Sequence, residues 1–183
     1  MEMNIGSKIK KVRLGRKITL EELASRTGFT KSYLSKIETK NSSPPLATLV
    51  KIASGLGVEI SQFFPYSKTD IACTVVKKKE RKVVAGRGTP YGYSYESIAY
   101  KKRNKKMELF VAEFPPSTME ITLLQHGGEE ALYVLEGKLE FIHGDQKYIL
   151  EEGDCIYFEP EFPHGGRGCN DCPAKVLAAI YNP

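Results

Sequence analysis

The sequence of 183 residues contains no tryptophan, only three histidines and only four cysteines. Four cysteines in a chain of this length do not make the disulfide framework of a small secreted domain. No apolar run approaches the roughly 20 residues that a membrane helix needs. The first four residues lack the basic and apolar stretches of a signal peptide. We therefore expect a reduced, cytoplasmic protein without a membrane partner.

The net charge of +5 is distributed very unevenly along the chain. Residues 1–70 contain 12 basic and 6 acidic side chains, and residues 77–106 contain 11 basic and 2 acidic ones. Residues 107–183 contain 4 basic and 14 acidic side chains. Such asymmetry indicates two modules, one of which can face a polyanion.

Residues 5–64 read as a series of short helices. Thr19 and Glu22 have the spacing of a capping box, and Gly28 supplies the turn that ends this helix. Thr30 can cap the next helix, which we predict from Lys31 to about Thr39. Its outward face carries side chains that donate to phosphates or reach base edges. These residues are Lys31, Ser32, Tyr33, Ser35, Lys36 and Lys40.

Three stretches, at residues 20–28, 32–38 and 45–53, resemble the helix-turn-helix domain of Cro/C1-type repressors, the XRE family. The resemblance implies an all-α domain over residues 1–65 that binds double-stranded DNA. It makes the segment from Lys31 to Thr39 the recognition helix, and it suggests Arg13 and Arg26 for the phosphate backbone. The residues that it places nearest the DNA are Thr30, Lys31, Ser32, Tyr33 and Lys36. From the residues alone, a small helical bundle with solvated lysines is the alternative.

The middle of the chain offers two interpretations. Residues 66–76 look like a linker, and the lysine runs at 77–82 and 101–106 can follow phosphates or form solvated edges and turns. The second run also fits a hairpin turn. Tyr91, Tyr93 and Tyr95 alternate, which places them on one face of a strand. That face is either half-buried sheet or the wall of an effector pocket, in which Arg87 would bind an anion.

Residues 107–183 are rich in short apolar segments separated by glycine turns, and this pattern predicts a β-sandwich or barrel. The expected strands include residues 121–123 and 155–158, with Cys155 in the core. Cys169 and Cys172 form a lone CxxC pair. A polar hairpin turn is the favoured interpretation of this pair, and half a zinc site or a redox pair is the alternative.

His126, Glu130 and His164 supply two imidazoles and a carboxylate, a set that binds a divalent metal with open positions. The segments around them resemble the two motifs of the cupin fold, a double-sheet jelly roll. The resemblance implies an all-β cupin domain over residues 77–183. Leu124 stands where an earlier histidine is usual, so three of four customary ligands remain. Iron or zinc is the metal that these ligands suggest.

A helix-turn-helix followed by a cupin resembles a common class of bacterial transcriptional regulators. The resemblance implies a small-molecule effector, a homodimer or higher homo-oligomer, and a near-palindromic operator. The alternative is an enzyme, because the iron oxygenases of the hydroxypropylphosphonate epoxidase type resemble the set Arg87, Tyr93, Tyr95 and the three metal ligands. Leu123 stands where those enzymes have a substrate-binding Asn. The outward basic helix face favours the regulator.

Overall fold

The N-terminal part of the chain consists of short helices, as predicted. The computed structural model describes residues 5–39, 44–63, 72–85, 93–118 and 120–181. A 3-10 turn at Ile60–Phe63 follows the last helix. Within the described residues the helices are α1 (Ile5–Gly15), α2 (Leu20–Thr27), α3 (Lys31–Thr39) and α4 (Leu46–Leu56). None of them is long and apolar enough to cross a membrane, as judged over these same residues.

The turn between α2 and α3 is fixed at both ends by caps. The Glu22 amide donates to Thr19 Oγ1 at 3.1 Å, and the Thr19 amide donates to Glu22 Oε2 at 2.6 Å, which confirms the capping box. Gly28 ends α2 with a φ of 70°. Thr30 Oγ1 then accepts from the Tyr33 amide at 3.1 Å and starts α3. The direction of α3 therefore follows from local sequence signals.

The helices enclose an apolar core to which each of them contributes. Leu23, Leu34 and Leu49 are almost completely buried. Gly6 lets α1 approach α3 closely, because a Cβ at this position would collide with the Ile37 carbonyl oxygen. The apolar stripe of each helix thus holds α3 against α1 and α2.

The C-terminal part is a sandwich of two antiparallel sheets, as the cupin resemblance implies. The larger sheet has the order β1-β2-β3-β9-β4-β7, and the smaller one has the order β6-β5-β8. From β4 onward the chain crosses repeatedly between the two sheets, as in a jelly roll. The described strands are β1 (Lys82–Ala85), β2 (Ser94–Ser97), β3 (Met107–Phe114), β4 (Glu129–Glu136), β5 (Leu139–His143), β6 (Gln146–Leu150), β7 (Cys155–Phe158), β8 (His164–Gly168) and β9 (Ala174–Tyr181).

Alternation along the strands separates the core from the surface. In β4 the side chains of Glu130, Leu132 and Val134 are buried, whereas Tyr133 is exposed. Phe141 of β5 is buried as well. Glu130 is thus a carboxylate at a position that the strand pattern reserves for the core.

Two expectations about this domain are wrong. Residues 121–123 form no strand, and only Leu124 pairs, in an isolated bridge with His164. Cys155 is exposed, because it stands on the outward side of the edge strand β7.

Strand β8 was not predicted, since its sequence contains three glycines, which disfavour strands. Gly165 is needed there because a Cβ would lie 2.5 Å from the Thr122 carbonyl oxygen.

The turns predicted at 101–106 and at Cys169 to Cys172 are present in the structure. The lysine-rich segment at 101–106 lies in the connection between the paired strands β2 and β3. Cys169 to Cys172 form a turn in which the Cys172 amide donates to the Cys169 carbonyl at 3.0 Å. Of the expected linker at 66–76, residues 66–71 lie outside the described residues, and 72–76 form neither helix nor strand.

The helices and the sandwich share one hydrophobic core. A single cluster of buried side chains includes Leu49 and Phe63 from the helical part and Phe110 and Ile180 from the sandwich. Tyr95 of β2 is 2% exposed, and its hydroxyl donates to the carbonyl oxygen of Pro44, just before α4. The start of α4 is therefore attached to the sandwich.

Candidate functional site

The helix that the sequence predicts from Lys31 to about Thr39 is present as α3, and its outward face is polar. Lys31, Ser32 and Lys36 are exposed, and Tyr33 is half-buried with its ring edge-on to Phe29 at 5.2 Å. Lys31 Nζ forms an ion pair with Glu21 of α2, and this pair lowers the pKa of Glu21. The Thr30 hydroxyl caps α3 and therefore lies at its N-terminal end.

Arg26 and Arg13, the two arginines suggested for the phosphate backbone, have very different surroundings. Arg26 is exposed near the end of α2, where Nη1 donates to the Gly55 carbonyl at 3.3 Å. Arg13 is buried between α1 and α3, where Glu38 accepts two of its hydrogen bonds at 2.6 and 2.9 Å. Its Nη1 donates to the Ile18 carbonyl at 2.8 Å.

The structure does not support a phosphate contact for Arg13, because its guanidinium is buried and each of its three nitrogens donates to Glu38 or Ile18. Hydrogen bonding to Glu38 raises the pKa of Arg13. The signal for burial was present in the sequence, because Arg13 continues the apolar stripe of Ile5 and Ile9 at a spacing of four residues. An arginine on an apolar stripe implies a buried carboxylate opposite, and Glu38 provides it.

The three predicted metal ligands come together in the sandwich. His126 precedes β4, Glu130 lies near the start of β4, and His164 begins β8 in the opposite sheet. Their ligand atoms all lie within 4.8 Å of one another, and all three residues are buried. Glu130 Oε2 lies 3.2 Å from His126 Nε2 and 4.0 Å from His164 Nε2.

Hydrogen bonds at the far side of both imidazoles orient them toward Glu130. His126 Nδ1 lies 2.9 Å from the Gly127 carbonyl oxygen, and His164 Nδ1 lies 3.0 Å from that of Phe162. Because a carbonyl only accepts, each Nδ1 carries the hydrogen, and in a neutral ring Nε2 is then a free electron-pair donor. Burial lowers the pKa of His164 and favours its neutral form.

This donor set fits a divalent transition metal. In the neutral tautomer, His126 Nε2 and Glu130 Oε2 are two acceptors 3.2 Å apart, so a cation or a proton between them is required. Carbonyl oxygens that accept from Nδ1 are the usual support of metal-binding histidines. Leu124 pairs with His164 through two backbone hydrogen bonds of 2.9 Å and offers no donor atom. Three ligands therefore leave coordination positions open.

A largely apolar cavity adjoins Glu130 and His164. Tyr93 and Tyr95 line it, whereas Arg87 and Tyr91 lie outside the described residues. The Tyr93 hydroxyl donates to the Gly166 carbonyl at 3.0 Å, and burial raises its pKa to about 12. Burial also raises the pKa of Tyr95 well above its ordinary value. Both phenols are therefore neutral, and their protons are committed to backbone carbonyls.

Part of the cavity wall was not predicted. Pro45, Leu46 and Ala47, at the start of α4, line the cavity together with residues of the sandwich. In the sequence these residues look like an ordinary helix start. An interface between two modules leaves no local pattern that would have indicated this role.

Two protein families match this chain, one for each structural part. The family described as helix-turn-helix matches residues 9–63, and the family described as cupin domain matches residues 110–180. The HTH-type transcriptional regulator PuuR of Escherichia coli (strain K12) is 25% identical over 174 residues, which are 95% of this chain and 92% of that protein. The uncharacterized HTH-type transcriptional regulator y4dJ of Sinorhizobium fredii is 36% identical over 58 residues, 32% of this chain and 75% of that protein.

The solved structures that are similar over almost the whole chain include a transcriptional regulator and an enzyme. An HTH_3 family transcriptional regulator from Vibrio cholerae is 25% identical with a TM-score of 0.65, covering 99% of this chain and 96% of its own. Hydroxypropylphosphonic acid epoxidase from S. wedmorenis is 23% identical with a TM-score of 0.53, covering 98% of each chain. At this identity the second likeness shows the fold alone. The chain belongs to the helix-turn-helix family of transcriptional regulators and carries a cupin domain after its helix-turn-helix.

Proposed function

We propose that this regulator binds a near-palindromic sequence in double-stranded DNA through α3 and binds a small-molecule effector in its cupin cavity. It acts in the cytoplasm as a homodimer. The observation that carries the proposal is the outward face of α3. Lys31, Ser32 and Lys36 are exposed on a helix whose position is fixed by caps at one end and by buried contacts behind it.

The contacts that we propose follow from the chemistry of this face. Lysines and hydroxyl groups donate to phosphate oxygens, and side chains near the start of a recognition helix reach base edges. Arg26 adds a contact to the phosphate backbone, whereas Arg13 does not take part. The proposed DNA-contacting residues are Thr30, Lys31, Ser32, Tyr33, Lys36 and Arg26.

A dimer accounts for a near-palindromic operator. Two recognition helices bind half-sites about 34 Å apart, one turn of DNA. We assign dimer formation to the cupin domain, which keeps the helix-turn-helix face free. The acidic balance of residues 107–183 is repelled by phosphate and so favours approach through the helices.

The metal site belongs to the same proposal. His126, Glu130 and His164 would hold iron(II) or zinc, and such an ion would supply a Lewis-acidic position for an oxygen or nitrogen atom of the effector. Tyr93 and Tyr95 shape the cavity beside it. The support for this site is the orientation of both imidazoles toward one carboxylate oxygen.

A second candidate function is an iron oxygenase of the epoxidase type. The observation that favours it is the shared cavity of Glu130, His164, Tyr93 and Tyr95. Two features weigh against it. The Tyr95 hydroxyl is occupied by the Pro44 carbonyl, and Leu123 is 45% exposed in the position of a substrate-binding Asn.

Selection of bound DNA from a random pool tests the proposed function. The full chain, with and without added zinc, is expected to enrich a near-palindrome with half-sites one helical turn apart. The matched control is Lys31→Ala combined with Lys36→Ala, which should lose the enrichment while retaining the fold. A pool that shows no sequence preference would remove the DNA-binding proposal and leave the oxygenase as the better candidate.

A further inference from the structure

We propose that the effector site is built from both domains, with the first turn of α4 as one of its walls. This inference rests on the proposed function, because it states where the effector lies and how the DNA-binding part senses it. The effector would be a small organic molecule with one oxygen or nitrogen donor directed at the metal ligands. Its apolar body would lie against Leu46 and Ala47.

The first observation is that residues of both domains line the same cavity. Leu46 and Ala47 of α4 line the same space as Glu130 and His164 of the metal site. Apolar side chains such as Phe114 and Leu132 make up most of the remaining wall. An occupant that reaches the metal ligands therefore also lies within contact distance of the helix-turn-helix domain. The wall favours an apolar body, because apolar surface gains free energy when it leaves water.

The second observation is that a residue of the cavity wall also binds the segment before α4. Pro44 and Pro45 are buried, and the Pro44 carbonyl accepts the hydroxyl proton of Tyr95. Tyr95 also lines the cavity, and its ring packs edge-on against Phe110 at 5.9 Å. The same tyrosine thus touches the effector space and holds the segment that leads into α4.

The third observation is that the walls of the cavity are held in place by different numbers of hydrogen bonds. The sandwich walls are joined by ladders of backbone hydrogen bonds, in which β3 pairs with β9 over eight residues. Within the described residues, the hydrogen bond from Tyr95 to Pro44 and apolar packing join the α4 wall to the sandwich. An occupant larger than the space must displace a wall, and the α4 wall is the one that yields.

Movement of α4 reaches the DNA-binding face by a short route. Helix α3 ends at Thr39, and α4 begins at Leu46. Helix α4 packs against α2, and α2 in turn packs against α3. A shift of the first turn of α4 is therefore transmitted to α3 through α2. The protein then has two states that differ in DNA affinity. A molecule that binds one state more tightly than the other acts as the effector.

The absence of tryptophan from the chain gives a direct test. Leu46→Trp in the full-length protein places a single indole in the proposed wall, and Leu14→Trp places one at an exposed position of α1 as the matched control. Cobalt(II) is the probe, because its absorption reports binding independently. Bound cobalt(II) is expected to quench the indole at position 46 strongly, with saturation at one equivalent. The indole at position 14 should be affected much less.

A second arm needs no metal. Ala112 lines the cavity from the sandwich side, so Ala112→Met in the Leu46→Trp background fills the space in place of an effector. Ala112→Val is the milder variant if the methionine impairs folding. Ala131→Met is the matched control, because Ala131 pairs with Ala179 on the outward side of the same sheet. The emission of the indole should shift with the substitutions at Ala112 and stay unchanged with the one at Ala131.

The outcomes separate the two proposals. If cobalt(II) binds without quenching the indole at position 46, and the Ala112 variants fold without shifting its emission, the shared wall is wrong. If cobalt(II) does not bind, the proposed metal site is wrong, and the Ala112 arm alone decides the inference. If both arms respond but no DNA sequence is selected, the shared wall stands and the proposed DNA binding falls.

Discussion

Arg13 and Glu38 form a buried, doubly hydrogen-bonded ion pair that ties α1 to the helix that we propose reads DNA. Nε and Nη2 of Arg13 donate to the two carboxylate oxygens at 2.6 and 2.9 Å. Only 8% of the Arg13 side chain and 3% of the Glu38 side chain are exposed. The pair thus holds α3 from behind, whereas Lys31, Ser32 and Lys36 on its other side are exposed.

Removal of Arg13 tests this structural role. Arg13→Met leaves the Glu38 carboxylate buried without its partner, and such a change costs about 3–5 kcal/mol in the free energy of unfolding. The double variant Arg13→Met with Glu38→Leu should recover most of that stability, because it buries no unpaired charge. Urea unfolding measures both values. Equal stability of the single and double variants would contradict the role of the pair.

The ion pair between Lys31 and Glu21 holds a proposed DNA-contacting lysine in the free protein. Glu21→Gln releases Lys31 and removes a negative charge beside the DNA, so we expect a few-fold increase in DNA affinity at low salt. Fluorescence anisotropy with the selected DNA sequence measures the change. Glu152→Gln, an exposed substitution in the cupin domain, is the control and should have no effect. An affinity that does not increase in Glu21→Gln would contradict a contact between Lys31 and a phosphate.

Metal binding depends on the ligand set in a way that single substitutions can test. His126→Ala should abolish the binding of one zinc or iron ion per chain, because it leaves two ligands. Leu124→His should tighten zinc binding, since it adds the fourth donor next to His164. His143→Ala is the control, because His143 is the remaining histidine of the chain and its Nε2 lies 2.9 Å from the Glu159 carbonyl oxygen instead. Elemental analysis and calorimetry measure stoichiometry and affinity, and a loss of metal in His143→Ala alone would contradict the assignment.

The burial of Tyr93 has a measurable consequence in alkali. Burial raises the pKa of Tyr93 to about 12, whereas the same phenol in the unfolded chain has its ordinary value of about 10. The folded protein therefore keeps the proton while the unfolded chain loses it. The stability that this phenol contributes is complete below pH 10 and is lost as the pH rises toward 12.

Ultraviolet titration of the phenolates checks this value. The difference between the wild type and Tyr93→Phe should show one phenol that ionises near pH 12. In the same pH range the stability of Tyr93→Phe should decline less steeply than that of the wild type. A difference spectrum with a midpoint near pH 10 would mean that the Tyr93 phenol is open to water.

Local signals made much of the fold predictable. The capping box at Thr19 and the left-handed turn at Gly28 act within a few residues, and the structure confirms both. Arg13 was misjudged because a basic residue in a DNA-binding module suggests phosphate contact, although its spacing from Ile9 already placed it on the buried stripe. Strand β8 was missed because its glycines disfavour a strand, although close packing against backbone carbonyls such as that of Thr122 requires them.

Of the candidate site, the sequence allowed only the metal ligands to be predicted. His126, Glu130 and His164 carry chemistry that is visible in any sequence, and the fold brings them together. Leu46 and Ala47 carry none, so their place in the cavity wall depends on how two domains pack. Such packing depends on long-range contacts that no short pattern contains. For the same reason, the hydrogen bond from Tyr95 to Pro44 could not be expected from the sequence.

The salt dependence of DNA binding tests the central claim most directly. Removing one lysine that neutralises a phosphate should reduce the slope of log affinity against log salt concentration by about 0.9. The variant Lys31→Ala with Lys36→Ala is therefore expected to bind the selected sequence more weakly and with a slope lower by about 2. The cupin variant Lys147→Ala with Lys175→Ala, which removes the same charge, should match the wild type. Equal slopes and affinities for both variants and the wild type would contradict the claim that α3 reads DNA.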